Sequence, residues 1–262
     1  MFFANVRIMQ ASHASPYAQS HNYSVLIKGW RSLSKRKGFR LQKILESGGR
    51  PLYEISSTVR NPKQCLYISA GIHGDEPAGV WGLFDWFEKN IEQLTDVNFL
   101  VYPCLNPWGL LNNTRTDFEG RDMNRAWSDN SHPVIGNVIE RLAGAHFRFA
   151  INLHEDFDAD GIYLYDPPAG KKMDNLAQAI LLSGSKYIPV DSRKKIDGRW
   201  ARNGIIRPSK SSLPKEGLPE AAFLQELQSD RTFVFETPSE YDFKTRVLAQ
   251  VAMLDRVLEE CI

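Results

Sequence analysis

The 262 residues carry 32 Lys and Arg against 31 Asp and Glu, a formal charge of +1, and 42% of them are hydrophobic. That balance argues against a dedicated nucleic-acid binder, which shows a basic excess, and no stretch approaches the ~20 apolar residues of a membrane span. Cys65, Cys104 and Cys261 are odd in number and widely spaced. They read as reduced thiols, and the polar residues of the opening MFFANVRIMQASHAS occupy the place of a signal peptide's apolar stretch, so a cytoplasmic protein is expected.

Residues 1–22 show no sustained periodicity and read as an irregular lead-in, with a single domain over 23–262. From Ser24, Val25, Leu26, Trp30 and Leu33 recur at helical steps as far as Gly38. The basic run Arg31, Lys35, Arg36, Lys37, Arg40 and Lys43 reads as a solvated face. Segments 40–45 and 52–57 flank Ser47-Gly48-Gly49-Arg50-Pro51, the signature of a hairpin. Four apolar strands follow at 65–70, 98–102, 148–153 and 232–235, with helical patterns at 76–90, 134–145, 174–183, 219–229 and 242–260. Continuous apolar strands alternating with amphipathic helices predict an α/β fold, a mostly parallel mixed sheet with helices on both faces.

In such sheets ligands bind beyond the carboxyl ends of the strands. Here those ends carry His73 and Glu76, then Asn106-Pro107, then His154, then Glu236. His73 and Glu76 lie three apart at a presumed helix start, where both can face one cation, and His154 can supply a third donor. Two His and one Glu with an open position is a catalytic zinc arrangement, whereas structural zinc sites are Cys-rich and closed. Glu236 ends a wholly apolar strand, and burial there would raise its pKa and suit it to proton transfer. The polar segment 112–125 adds Arg115, Arg121 and Arg125.

The motifs GIHGDE (71–76), NPWG (106–109), NNTRTDFEGRDMNR (112–125), NLHED (152–156) and FETP (235–238) resemble, in order, those of the zinc carboxypeptidase family. That family includes pancreatic-type carboxypeptidases and bacterial murein-peptide amidases. The resemblance implies a three-layer α/β/α, phosphorylase/hydrolase-like domain with one Zn2+ held by His73, Glu76 and His154. It implies Glu236 as general base and proton shuttle and Arg115 as the residue that polarises the scissile carbonyl. Asn124 and Arg125 then bind the substrate's terminal carboxylate, and Asp122 orients a ligand histidine. The expected partner is a small peptide or amino-acid amide with a free carboxylate, not a nucleic acid or a membrane.

Departures from the family pattern bear on specificity. Ala126-Trp127 follows the Asn-Arg pair, and Glu155, Asp156, Asp158 and Asp160 crowd the third ligand. That acidic run reads as a solvated loop, with a cationic substrate group or a second metal as the alternatives. Residues 188–231 hold no tyrosine, so the family's substrate-capping role would fall to Tyr163 or Tyr165. Arg193, Lys194, Lys195, Arg199, Arg202, Arg207, Lys210 and Lys215 suggest a basic pocket lining. Two other functions compete: an N-acyl amino-acid deacylase of the aspartoacylase/succinylglutamate desuccinylase type, and a catalytically silent metal- or carboxylate-binding module. Ile72, Asp75 and the FETP ending favour the carboxypeptidase side over the deacylases, and Glu236 argues against the silent module. His132 reads as a loop residue and His146 as a satisfied structural histidine.

Overall fold

The computed structural model describes residues 19–37, 39–58, 64–167, 174–209 and 214–262. Most of the predicted lead-in, 1–18, lies outside the described residues, as does Lys210. The chain opens with helix α1 (Tyr23–Lys37) and the hairpin β1 (Arg40–Ser47) and β2 (Arg50–Ser56), turned by Gly48 and Gly49 at φ 55° and 72°. Strand β3 (Gln64–Ala70) leads to α2 (Pro77–Lys89), and β4 (Phe99–Tyr102) to the short α3 (Pro107–Asn112). Helix α4 (Ile135–Leu142), β5 (Phe147–Asp156), β6 (Tyr163–Tyr165) and α5 (Leu176–Gly184) come next. The chain closes with β7 (Lys195–Ile196), β8 (Arg199–Arg202), β9 (Ile205–Ile206), α6 (Glu220–Leu227), β10 (Thr232–Pro238) and α7 (Phe243–Leu258).

All ten strands form one sheet in the order β1-β2-β4-β3-β5-β10-β6-β9-β8-β7. The centre, β4-β3-β5-β10, is parallel, and antiparallel strands flank it on both sides. The expected mixed α/β sheet is therefore the observed one. The sequence does not show four of the strands, nor the short helix α3. Strand β6 and the β7–β9 meander are too short to show a period, and their turns, Asp197-Gly198 and Asn203-Gly204, lie at positive φ throughout (46°, 66°, 53° and 71°). These are the left-handed pairs that two-residue hairpins require.

Strand alternation decides which side chains meet which layer. Leu66, Ile68, Phe149, Ile151, Leu153, Phe233 and Phe235 point to one face and pack in a single buried cluster with residues of α1, α2, α5 and α7. Trp30, Trp86 and Phe87 anchor that layer, with ring centroids 5.1 Å apart for Trp30 and Phe87. The opposite face is apolar near α4 and α6, where Tyr67, Ala150, Trp127, Ile135, Phe223 and Leu224 are buried together. Further along the same strands it turns polar. Among the described residues no helix is long and apolar enough to cross a membrane.

Candidate active site

Strands β5 and β10 continue past their apolar runs, so His154 and Glu236 are paired neighbours within the sheet rather than residues beyond it. This corrects the predicted ends at 153 and 235. Ladder hydrogen bonds fix both backbones, and the alternation that sends Leu153 and Phe235 to the apolar layer turns His154 and Glu236 to the other face.

His73 and Glu76 reach the same place from the β3–α2 connection. Glu76 is the residue before Pro77, the first residue of α2, and its side chain makes no capping bond to its own helix. Instead Glu155 Oε1 accepts the Ala78 N–H at 2.6 Å. With a neighbouring strand satisfying the helix start, Glu76 is left to lie between two imidazoles: Oε1 is 2.6 Å from His73 Nδ1 and Oε2 is 2.8 Å from His154 Nδ1. The loop itself is pinned by close backbone approach. A Cβ on Gly74 would fall 1.9 Å from the carbonyl carbon of Gly109, the glycine of the NPWG turn.

One donor atom from each of His73, Glu76 and His154 lies within 4.8 Å of the others, and all three residues are buried. Two imidazole nitrogens and a carboxylate suit zinc or a similar borderline ion. Calcium and magnesium seek six or more oxygens, which this cluster does not offer. Among the described residues no second cluster brings three such donors together. Burial disfavours charge on His73, yet the Glu76 carboxylate and the Asp122 hydrogen bond override it and lift its pKa to about 9. Burial likewise opposes ionised Glu76, but the two histidines hold it well below the usual carboxylate range. His154 is pushed down, chiefly by burial.

Asp122 stands behind this group, Oδ1 3.1 Å from His73 Nε2 and accepting the Asn124 N–H at 2.9 Å. Arg115, half exposed, donates from Nε to Asp122 at 3.2 Å and places Nη1 3.5 Å from Glu76 Oε1. Asn124 Oδ1 accepts the Glu220 N–H at the start of α6, which leaves its Nδ2 as a donor, and Arg125 donates to the Asn124 carbonyl at 2.8 Å. The eight predicted residues thus converge, and seven of them line one cavity of about 790 Å3, with Asp122 just behind it. Glu236 is buried at 8% exposure with no hydrogen bond to its carboxylate among the described residues. Burial, then the charges of Glu76, Asp156 and Asp197, raise its pKa well above the ordinary glutamate value.

The specificity expectations change. Of the basic residues at 193–215, Arg199 alone among the described ones lies on the cavity wall. Arg193 pairs with Asp191 at 2.6 Å, Arg207 with Asp166 at 2.7 Å, and Lys195 lies over the Trp200 ring. Nor is the acidic run uniformly solvated. Glu155 is buried and ion-paired to Arg246 of α7, because alternation sends it to the apolar side, and Asp156 accepts from Tyr163 at 2.9 Å. Tyr163 and Tyr165 both line the cavity, each donating to a carboxylate, Asp156 and Asp197 respectively. His132, read as a loop residue, is buried, and its Nδ1 faces the Val134 and Ile135 N–H groups at the start of α4. His146 is an exposed partner of Asp230. Nothing in the sequence distinguishes Glu220 and Gln225 from ordinary helix residues, and Asn152 stands there only as the first residue of NLHED, with no role assigned.

The sheet with its flanking helices is the α/β fold of solved metallopeptidase and metallo-carboxypeptidase structures, and the chain has that fold. Residues 62–164 match the model of the succinylglutamate desuccinylase/aspartoacylase catalytic domain, a segment that contains His73, Glu76 and His154 and stops short of Glu236. A candidate metallopeptidase from Shewanella baltica superposes with a TM-score of 0.81 at 21% identity, over 93% of this chain and 94% of that one. A metallo-carboxypeptidase from Burkholderia cenocepacia gives 0.68 at 15% identity, over 90% and 68%. Bovine thrombin-activatable fibrinolysis inhibitor gives 0.65 at 15%, over 94% and 99%. No curated protein matches the chain.

Proposed function

We propose that the chain is a zinc-dependent hydrolase that cleaves a peptide or amide bond next to a free carboxylate. The observation that carries this reading is the buried Glu236 carboxylate, unpartnered among the described residues and paired across the sheet with His154 of the His73–Glu76–His154 donor set. A site built only to bind a metal has no use for a second carboxylate that, among the described residues, accepts no hydrogen bond.

Zinc, when bound to the three donors, supplies Lewis-acid polarisation and acidifies water toward neutral pH. Glu236 takes the proton of the attacking water on its carboxylate and passes it to the nitrogen of the departing amine. Its raised pKa suits both transfers, because a carboxylate too acidic would accept the proton poorly. Arg115 extends a guanidinium edge over the donor set, where it opposes negative charge growing on the carbonyl oxygen; one such donor is commonly worth about 3 kcal/mol in the transition state. The Asn124 Nδ2 and the planar fork of Arg125 hold the substrate carboxylate, a geometry that lysine does not reproduce. Asp122 fixes the ring of His73 from behind. The free thiol of buried Cys104 is in keeping with a cytoplasmic setting.

The match over 62–164 favours a second reading, an N-acyl amino-acid deacylase. The same clamp would then hold the carboxylate of the acylated amino acid, and the scissile bond would be its N-acyl amide. Peptides assayed beside N-acyl amino acids with the zinc-loaded protein separate the two. The common test is Glu236→Gln. Zinc content should be unchanged while hydrolysis falls about 10^3-fold, within the range of a lost general base. Hydrolysis that survives with zinc in place removes Glu236 from the reaction, and an unmutated protein inert on both panels leaves a silent binding module.

A further inference from the structure

Two successive rungs of the sheet face the cavity. The upper rung runs His154–Glu236–Tyr163 across β5, β10 and β6. The lower rung, two residues deeper on the same face, runs Ser69–Asn152–Val234–Tyr165 across β3, β5, β10 and β6. Asn152, Val234 and Tyr165 line the cavity, and Ala221, Ala222 and Gln225 of α6 close it over them.

Asn152 is the anomaly of this rung. It is 1% exposed, its Nδ2 donates to Ser69 Oγ at 2.9 Å, and its Oδ1 is buried without a partner. Its orientation is set from beneath. Ser69, paired with Asn152 across β3 and β5, offers its hydroxyl oxygen to the Asn152 N–H2, while beneath it Tyr67 donates to Glu220 Oε1 at 2.6 Å. The amide is therefore held with its carbonyl oxygen unspent. A buried acceptor lacking a donor costs about 1–3 kcal/mol, and such groups call for an explanation. On the facing helix Gln225 presents the complement. Its Oε1 accepts the Thr232 N–H at 2.9 Å, which leaves Nε2 as a donor at the cavity wall.

We propose that Asn152 and Gln225 form a recognition pocket, one rung below the candidate metal site, for a carboxamide side chain on the residue that carries the substrate's free carboxylate. The side-chain N–H2 meets Asn152 Oδ1 and the side-chain carbonyl takes Gln225 Nε2. Val234, Ala221 and Ala222 pack against the methylenes. An acidic side chain would instead set its charge against Asn152 Oδ1 with the Glu220 carboxylate behind it, and Arg199 at the rim is already 3.9 Å from Asp197. An aliphatic side chain would leave both amides unpaired, the situation in which sites of this kind discriminate most strongly.

The inference rests on the carboxylate clamp of the proposed function, and holds for peptide and N-acyl amino-acid substrates alike. The probes are benzoyl-glycyl dipeptides ending in Gln, Met, Glu or Lys, with kcat/KM measured on the zinc-loaded full chain. Calorimetric titration of metal-free and zinc-loaded protein with free glutamine, methionine, glutamate and lysine runs in parallel. Glutamine should lead both series by at least tenfold. Asn152→Leu should bring Gln and Met within about twofold of each other in the binding series. Gln225→Glu keeps the Thr232 bond but replaces the N–H donor with an acceptor, and should erase the glutamine preference even if Asn152→Leu does not fold. If no peptide is cleaved yet glutamine binds in preference, the hydrolase reading fails and the pocket stands. Methionine, glutamate or lysine equal to glutamine in the binding series, or no glutamine bound by either form, overturns the pocket.

Discussion

Glu220 places a carboxylate where water does not reach: it is 1% exposed, accepts from the Tyr67 hydroxyl at 2.6 Å, and leaves Oε2 without a partner. Burial, only partly offset by the Tyr67 and Ser69 hydroxyls and by His73, raises its pKa from the usual 4.5 to about 7. The sign of the linkage follows. Below about pH 4.5 the folded and unfolded chains both hold the proton. Between there and pH 7 the unfolded chain releases it while the folded chain keeps it, so stability falls as pH rises; above pH 7 the penalty is constant. At about 1.36 kcal/mol per pH unit, the interval from 4.5 to about 7 comes to roughly 3 kcal/mol. Glu220→Gln removes the titration while keeping an acceptor for Tyr67. Urea unfolding of both proteins from pH 4.5 to 8, with chelator present throughout so that metal linkage cancels, should show the variant gaining about 3 kcal/mol on the parent across that range. A constant offset from the extra amide N–H does not affect the comparison. A stability gap that stays flat with pH would refute the buried-carboxylate account.

Three further outcomes are expected. Asp122→Asn removes the charge behind His73 and should weaken zinc affinity 10- to 100-fold, read by chelator competition, with the urea midpoint of the metal-free protein little changed. Arg246→Met strips from buried Glu155 the cation that it pairs with among the described residues, and the Glu155 side chain is fully enclosed. Breaking a buried pair from one side costs about 3–5 kcal/mol, so the urea midpoint should drop sharply while Lys89→Met at the exposed Asp255 pair moves it by less than about 1 kcal/mol. Gly74→Ala forces a methyl group into the Gly109 backbone and should cost about 3 kcal/mol or more. It should also lower zinc affinity, since the same loop carries His73, and a variant with unchanged unfolding and zinc binding would refute the close-approach account.

The parts of the fold that were legible in the sequence are those where one period runs uninterrupted. The helix from Tyr23 and the apolar runs of β3, β4, β5 and β10 were found because burial of one stripe or both faces writes itself into residue type. The site was legible where chemistry demands rare residues at a strand's end, as at His73, Glu76, His154 and Glu236. Strand β6, Tyr163–Tyr165, is three residues long and gives no period, so the two tyrosines were noticed by type and not by position. The acidic run after His154 was misjudged because sequence spacing does not reveal that Arg246, 91 residues away, meets Glu155. Asn152 was invisible for a related reason. Its unpaired oxygen depends on Ser69, a residue brought to it by strand pairing.

Strand β5 shows how one segment serves adhesion and chemistry together. Phe149, Ile151 and Leu153 point to the apolar layer, while Asn152 and His154 point to the cavity. A slip of one residue would exchange the two sets, so the apolar packing that holds the sheet also enforces the position of the imidazole. Glu155 keeps to the alternation but puts a carboxylate on the apolar side, and its partners give the reason. One oxygen accepts the Ala78 N–H at the start of α2, and the other meets Arg246 of α7. The residue next to His154 in the chain thereby fixes the end of the helix that begins just after Glu76. Two of the three candidate metal donors are thus tied to each other through protein structure as well as through any ion, which is what a site must do if its geometry is to be set before the metal arrives.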